Sequence, residues 1–165
     1  SFTMTDTEGY QLQIWQQNAR KSWDVQMTTL HVMEQQYDII CLQEPHFDFQ
    51  ELTRATPAWN VVLPTSYRQV EQEEQEEDKV PRALTLVHER LSMNAWTQIE
   101  VDTNDVITIW FTGGVGALNV YNIYNDCQHS ETVENLERHF RGHQEGQVRR
   151  ERREWEGDLW LGDFN

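Results

Sequence analysis

Four polar residues follow apolar, strand-like runs of the sequence, and their types suit chemistry at a phosphate. Asn18 follows LQIWQQ, Glu44 follows DIICLQ, and Asp163 and Asn165 come just after DLWL. Side chains two residues apart in an extended chain point the same way, so we expect Asp163 and Asn165 to face one site. A rigid sheet presents the residues at its strand ends to solvent, which makes all four candidates for a single site.

The chemistry of such a group would be metal-assisted. Glu44 supplies a hard oxygen ligand for Mg²⁺, which takes one or two protein carboxylates and keeps waters that a phosphate can replace. Amides donate hydrogen bonds to a phosphate without repelling it, and an aspartate can position or deprotonate an attacking water. Each residue alone has an ordinary explanation: a turn for Asn18, a loop cap for Glu44, an exposed terminus for Asp163 and Asn165. The prediction therefore rests on the group.

Other motifs have simpler structural explanations. The glycines at residues 112–116 lie between two strand-like runs, which favours a hairpin turn, because a phosphate loop needs a helix directly after it. His139 and His143 have helical spacing, but Gly142 lies between them and no second ligand pair accompanies them, which disfavours zinc. Arginines at residues 149–153 are interleaved with glutamates, which favours a self-neutralising surface helix.

The elements that would position these residues alternate between short strands and two helices. Apolar residues at intervals of three or four predict a helix over residues 23–37, and Ser130 is a candidate N-cap of a second helix that ends at Gly142. The four predicted strands between residues 82 and 123 follow one another at short spacing, which predicts an antiparallel meander. The predicted strands cover residues 12–16, 38–43, 59–63, 82–88, 96–101, 106–112, 116–123 and 158–162.

Composition limits the classes of partner. The 165 residues fit one domain, with an acidic loop at residues 69–80 and a polar segment of mixed charge at residues 141–157. Thirteen basic against 28 acidic side chains give a net charge of −15, which opposes broad attraction to nucleic acid or anionic lipid, so any nucleic-acid contact must be local. No apolar run is long enough to span a membrane. Cys41 and Cys127 have no zinc-type spacing, so we expect a reducing, intracellular location.

Five segments together resemble the endonuclease/exonuclease/phosphatase superfamily. They are QIWQQNARKS, DIICLQEP, PRALTLV, LNVYNIYN and LWLGDFN, in this order, and LQEP and GDFN are the most specific of the matching motifs. Details of the first, third and fourth segments are closest to LINE-type retrotransposon endonucleases, particularly fungal ones. The resemblance implies an α/β fold of two packed sheets, a two-sheet α/β sandwich.

The resemblance also implies roles for particular residues. Glu44 would be the metal ligand, for Mg²⁺ or alternatively Mn²⁺, and Asn18 would support it through hydrogen bonds. Tyr121 would contact the scissile phosphate, with Tyr124 as the alternative. Asp163 would orient or activate water. Asn165 would hold the phosphate. Arg82 would contact the substrate.

The family pattern continues beyond GDFN with further strands and a late Ser-Asp-His motif, and no histidine of this chain stands in that context. We therefore expect residues 1–165 to be the N-terminal two-thirds of the domain, a C-terminally incomplete fold whose activity is impaired. The implied function is metal-dependent DNA nicking for a reverse transcriptase-associated element. A longer polyprotein and DNA would be partners, and the location would be nuclear. Two alternatives stay open: a phosphatase or lipid-headgroup phosphodiesterase, and a non-catalytic remnant that binds protein.

Overall fold

The computed structural model describes residues 1–5, 11–69, 80–112, 116–125, 131–146 and 155–163. The strands and helices, in chain order, are β1 Phe2–Thr5, β2 Gln11–Asn18, α1 Trp23–Met33, β3 Ile39–Gln43, β4 Trp59–Val62, α2 Thr65–Gln69, β5 Ala83–His88, β6 Trp96–Ile99, β7 Val106–Thr112, β8 Gly116–Tyr124, α3 Glu131–Gly146 and β9 Trp155–Asp163. A short 3₁₀ turn, Met93–Ala95, lies between β5 and β6.

The strands form two mixed sheets. The first sheet has the order β1-β2-β3-β5-β4, and the second has the order β6-β7-β8-β9. Two neighbouring pairs are parallel, β2 with β3 and β8 with β9, whereas the other pairs are antiparallel. All five residues of β3 are buried, as expected for a central strand that is covered on both faces.

Three apolar layers hold the molecule together. The inner faces of the two sheets pack on each other, and Ile14, Cys41 and Ile109 lie at this interface. The outer face of the first sheet packs under α1 through Leu30. The outer face of the second sheet packs under α3 through Leu136. Burial of apolar surface in three stacked layers is what fixes the ends of the strands relative to each other.

The helix α1 begins at an N-cap serine, Ser22. The hydroxyl of Ser22 accepts a hydrogen bond from the backbone N–H of Val25 at 3.3 Å, which satisfies one of the unpaired donors of the first turn. The predicted helix over residues 23–37 ends earlier, at Met33. Tyr37 instead packs edge to face on Trp15 of β2, with ring centroids 5.3 Å apart.

Several sequence expectations need correction. The strand at residues 82–88 does not join the predicted meander: β5 pairs with β3 and β4 in the first sheet, and the meander is confirmed only for β6, β7 and β8. The helix α3 does not end at Gly142 but continues to Gly146, since a glycine inside a helix costs only about 1 kcal/mol.

Other expectations fall partly or wholly outside the described residues. These are most of the acidic loop, the centre of the mixed-charge segment, the glycine turn, Cys127 and the N-cap Ser130. In the described part of the chain, no helix has the length and apolar character needed to cross a membrane.

Candidate active site

Asn18 and Glu44 meet at one edge of the first sheet. Asn18 is the last residue of β2, and Glu44 follows the last residue of β3. Because these strands are parallel, with Asn18 in register with Gln43, their carboxyl ends lie side by side. The side-chain amide of Asn18 donates a hydrogen bond to Oε1 of Glu44 at 3.0 Å. The structure therefore brings these two predicted strand-end residues into direct contact.

The loops around this pair have an unusual backbone conformation. Glu44 has φ 47°, and Arg20 and Lys21 have φ 51° and 56°, so three residues other than glycine occupy the left-handed region. This conformation costs roughly 1–2 kcal/mol per residue and persists only where surrounding contacts impose it. The N–H of Lys21 donates to the carbonyl of Glu44, and the N–H of Glu44 donates to the carbonyl of Arg82, both at 2.8 Å.

Arg82 joins the first sheet to the second. Its guanidinium forms two hydrogen bonds with the carboxylate of Asp105, at 2.8 and 2.6 Å, and lies 4.8 Å from the ring centroid of Tyr124. Asp105 also accepts a hydrogen bond from the hydroxyl of Thr132 in α3 at 3.1 Å. The predicted substrate-side residue is thus a bidentate partner of a buried carboxylate. Sequence analysis missed Asp105, which precedes β7 and has no motif around it.

The two tyrosines of β8 lie on opposite faces of the second sheet. Side chains alternate along a strand, so Asn122 and Tyr124 share the inner face while Tyr121 points toward α3. The ring of Tyr121 is 3% exposed and lies 5.4 Å from Phe140 and 5.3 Å from Trp160. The structure places Tyr121 in the outer layer and Tyr124, the alternative, against Arg82.

Asp163 lies at the same end of the molecule as Glu44. The backbone of Asp163 is in register with Tyr124, since β9 runs parallel to β8. Tyr124 contacts Arg82, whose carbonyl accepts the N–H of Glu44. This chain of contacts connects the end of β9 to the end of β3. Asn165, the fourth strand-end residue, lies outside the described residues.

Gly162 allows β9 to approach β8 next to Asp163. A Cβ atom at this position would lie 2.2 Å from the carbonyl oxygen of Ile123, a contact that backbone atoms cannot avoid without moving the strand. The glycine of the GDFN motif is thus required by strand pairing.

A buried amide network lies directly beneath the Asn18–Glu44 pair, and sequence analysis missed it. The side chain of Gln43 donates to Oδ1 of Asn122 at 2.6 Å and accepts from Gln16 at 2.5 Å. The amide of Asn122 in turn donates to the carbonyl of Leu84 at 2.9 Å and to the hydroxyl of Thr85 at 3.1 Å. Gln43 and Asn122 are both 0% exposed. The network ties β8 to β3 and β5 at the level where Glu44 begins.

The chemistry of Glu44 fits a magnesium ligand. Its side chain is half-buried, and no ion pair among the described residues includes it. A carboxylate that accepts one amide hydrogen bond keeps acceptor capacity, since it has about four lone-pair positions. The described residues contain no cluster of three or more His, Cys, Asp or Glu that could hold a metal. Mg²⁺ does not need such a cluster, because it binds through one or two carboxylates and fills its other positions with water and substrate oxygens.

This arrangement of two mixed sheets and outer helices is also found in solved structures of the endonuclease/exonuclease/phosphatase type. Scans of family models and of curated proteins found no match to the sequence. Solved structures do match. The endonuclease domain of TRAS1, a telomere-specific non-LTR retrotransposon, has a TM-score of 0.58 and 15% identity, and the match covers 92% of this chain and 58% of that one.

An endonuclease/exonuclease/phosphatase family protein from Leptotrichia buccalis C-1013-b has a TM-score of 0.50 and 13% identity, over 93% of this chain and 66% of that one. The chain therefore spans less than two thirds of either neighbour. Structural matches at such low sequence identity establish the fold alone. The resemblance to the superfamily and to LINE-type endonuclease domains, and the predicted two-sheet α/β architecture, are confirmed at that level.

Proposed function

We propose that this chain carries the metal and phosphate side of a metal-dependent phosphodiesterase that nicks DNA for a retrotransposon-like element. The observation that carries the proposal is the contact between Asn18 and Glu44 at the carboxyl ends of two parallel strands, 3.0 Å between Nδ2 and Oε1. The similarity of the fold to the TRAS1 endonuclease domain supports this reading.

In this proposal Glu44 holds a Mg²⁺ ion, with Mn²⁺ as a substitute. The bound metal supplies charge stabilisation for the phosphate and for the leaving oxygen. Asn18 fixes the orientation of the Glu44 carboxylate by donating to one of its oxygens. Asp163, at the end of β9, positions and deprotonates the attacking water, and Asn165 donates a hydrogen bond to the phosphate.

Tyr124 is the tyrosine that suits the phosphate contact. It lies on the inner face of β8, and its backbone N–H donates to the carbonyl of Asp105 at 2.8 Å. The guanidinium of Arg82, itself paired with Asp105, lies against its ring. In this assignment Arg82 acts mainly by holding Tyr124 and Asp105 in place.

The substrate in this proposal is DNA, reached in the nucleus. A net charge of −15 opposes contact with a long duplex surface, so binding depends on the metal, on local basic side chains and on further segments of a longer polypeptide.

Metal binding by Glu44 is the first test. We expect Glu44→Gln to weaken Mn²⁺ binding at least about 10-fold, because an amide removes the anionic ligand without changing side-chain volume. The measurement is loss of the free Mn²⁺ signal in electron paramagnetic resonance titrations. Glu89→Gln is the matched control. Glu89 is exposed and follows the carboxyl end of β5, whereas Glu44 contacts Arg82 at the amino end of that strand. The difference between these variants isolates Glu44 from weak sites on the acidic loop, and equal affinities would contradict the proposal.

Substrate class is tested with the native polypeptide that carries this chain. We expect Mg²⁺-dependent nicking of supercoiled plasmid that is lost in EDTA and in Glu44→Ala. Faster hydrolysis of small phosphate esters or of lipid headgroups would favour a phosphatase or lipid phosphodiesterase of the same fold. No hydrolysis of any substrate, with no difference between wild type and Glu44→Ala, would favour a non-catalytic binding protein.

A further inference from the structure

An exposed aromatic surface lies beside Glu44. Trp23, the first residue of α1, is 39% exposed, and its ring packs edge to face on His46 with centroids 5.5 Å apart. His46 lies two residues after Glu44, and its backbone N–H donates to the side chain of Gln26 in α1 at 2.9 Å. The Trp23 ring is therefore held next to the loop that begins at Glu44, while part of its side chain stays open to solvent.

The same loop presents a second aromatic ring. Phe49 is 94% exposed at the tip of a turn that Asp48 organises. The carboxylate of Asp48 accepts the N–H groups of Gln50 and Leu52 at 2.8 and 3.1 Å, and these hydrogen bonds, that of Leu52 first, lower the pKa of Asp48. A turn with this many internal hydrogen bonds holds Phe49 outward instead of leaving it free to fold back. Phe49 follows His46 by three residues on the same loop, and we call Trp23, His46 and Phe49 the aromatic surface.

Positive charge flanks the aromatic surface. Arg20 and Lys21 are exposed, immediately precede α1, and form no ion pair among the described residues. Their position is fixed: the N–H of Arg20 donates to Oδ1 of Asn18 at 2.7 Å, and the N–H of Lys21 donates to the carbonyl of Glu44. In a chain with a net charge of −15, this local pair of cations stands next to the candidate phosphate site.

We propose that this surface binds an unpaired nucleotide strand, whose bases stack on Trp23 and Phe49 while Arg20 and Lys21 contact its phosphates. Exposed aromatic rings interleaved with basic side chains are the chemistry that recognises single-stranded nucleic acid, because every base has a face that can stack. A regular duplex hides those faces in its base stack, so it can meet the aromatic surface only through its phosphates and groove edges. The placement of the strand toward Glu44 rests on the proposed function, whereas the binding itself does not.

The test compares three fluorescent probes of equal length by anisotropy in EDTA: a single-stranded oligonucleotide, its duplex, and a strand in which abasic sites replace the bases. We expect the single strand to bind more tightly than the other two. Trp23→Ala and Phe49→Ala should each weaken single-strand binding roughly 10-fold, the effect of one lost stack, and leave binding of the abasic strand unchanged. Phe49→Ala keeps the test valid if Trp23→Ala affects folding, because a side chain that is 94% exposed contributes little to the core.

Two further variants sharpen the result. Met93→Ala is the matched control, since Met93 is 66% exposed but follows the opposite end of β5, and it should bind every probe as wild type does. Arg20→Asn removes a charge at a left-handed position that asparagine tolerates, and should lower the slope of log affinity against log salt by about 0.7.

Equal binding of the abasic and normal strands, or equal losses in Met93→Ala and in the two aromatic variants, would overturn the inference. Its failure is distinguishable from failure of the proposed function, because single-strand binding is measured without metal. Unchanged Mn²⁺ affinity in Glu44→Gln would refute the metal site and leave the aromatic surface standing.

Discussion

A carboxylate lies at each end of β3, and the two carboxylates differ in their hydrogen bonds and in their ion pairing. At the amino end, Asp38 accepts the N–H of Gln13 at 2.8 Å and pairs with Nε of Arg90 at 2.9 Å, with its side chain 8% exposed. Arg90 also donates to the backbone carbonyls of Glu34 and Tyr37. At the carboxyl end, Glu44 accepts one amide hydrogen bond and has no cationic partner among the described residues.

Under the proposed function, this difference separates a structural carboxylate, Asp38, from a metal-binding one, Glu44. Asp38 has its charge compensated by a guanidinium and its oxygens occupied, so it locks α1 and β5 to β3. Glu44 has a left-handed backbone conformation and accepts one amide hydrogen bond, so its carboxylate keeps acceptor capacity that a metal ion could use. The end of the sheet that is less well satisfied is therefore the end at which ligand chemistry is expected.

The largest effect is expected from removing the structural carboxylate. Asp38→Ala leaves Arg90 without its carboxylate partner and the N–H of Gln13 without its side-chain acceptor, so the free energy of unfolding should fall by about 2 kcal/mol. Urea denaturation followed by fluorescence measures it. Asp102→Ala, at an exposed position, is the control and should stay within about 0.5 kcal/mol of wild type. Folded Asp38→Ala should still bind Mn²⁺ as wild type does, and loss of that affinity would blur the distinction between the two ends.

Replacing Glu44, whose backbone is strained, should raise stability instead of lowering it. Glu44→Gly removes the Cβ penalty of the left-handed conformation, which exceeds the entropic cost of glycine, so stability should rise by about 0.5–1 kcal/mol while Mn²⁺ binding is lost. Glu51→Gly is the matched control, because Glu51 has φ 57° on the same loop and lies away from the strand ends. It should gain similar stability and keep Mn²⁺ affinity. A loss of stability in Glu44→Gly alone would mean that Glu44 is structural after all.

The smallest effect is a pH dependence at the Asp38 end. Burial, and after it the charge of Arg90, lower the pKa of His88 from its ordinary value of 6.5. Below pH 6.5 the unfolded chain therefore binds more protons than the folded one, and stability falls as pH decreases from 6.5 to the folded pKa. We expect a loss below about 1 kcal/mol between pH 7.5 and 5.5. His88→Asn, which can still accept the N–H of Arg90, should remove that part of the slope; an unchanged slope would assign it to other groups.

What the sequence could predict is set by how local the signal is. The apolar run before Glu44 predicts a central strand, and the alternation before Asn18 predicts another strand. The expectation that strand-end residues share one site agrees with the contact of these two residues, whereas the parallel pairing that produces the contact is known only from the structure. The Gln43–Asn122 contact joins residues 79 positions apart, and no local pattern marks either side chain as buried. No local pattern marks Asp105 either, because its carboxylate accepts hydrogen bonds from Arg82 and Thr132, which are distant in the sequence.

The tyrosines of β8 show a second limit. Alternation along LNVYNIYN places Tyr121 and Tyr124 on opposite faces, but both faces of the second sheet are apolar, since one packs on the first sheet and the other on α3. Hydrophobicity alone therefore could not tell which face was inner. The same two-sided burial explains the wrong assignment of β5 to the meander: an all-buried strand has no alternation that specifies its sheet.

The close approach of β9 to β8 at Gly162 changes how a motif of this kind should be weighed. Any larger residue would collide with the carbonyl of Ile123, so strand geometry demands glycine whether or not a phosphate is ever hydrolysed. A descendant that had lost every reactive side chain would still retain this glycine for as long as it folded. Gly162 is therefore evidence of architecture alone, and evidence of catalysis must come from the acid and amide groups beside it.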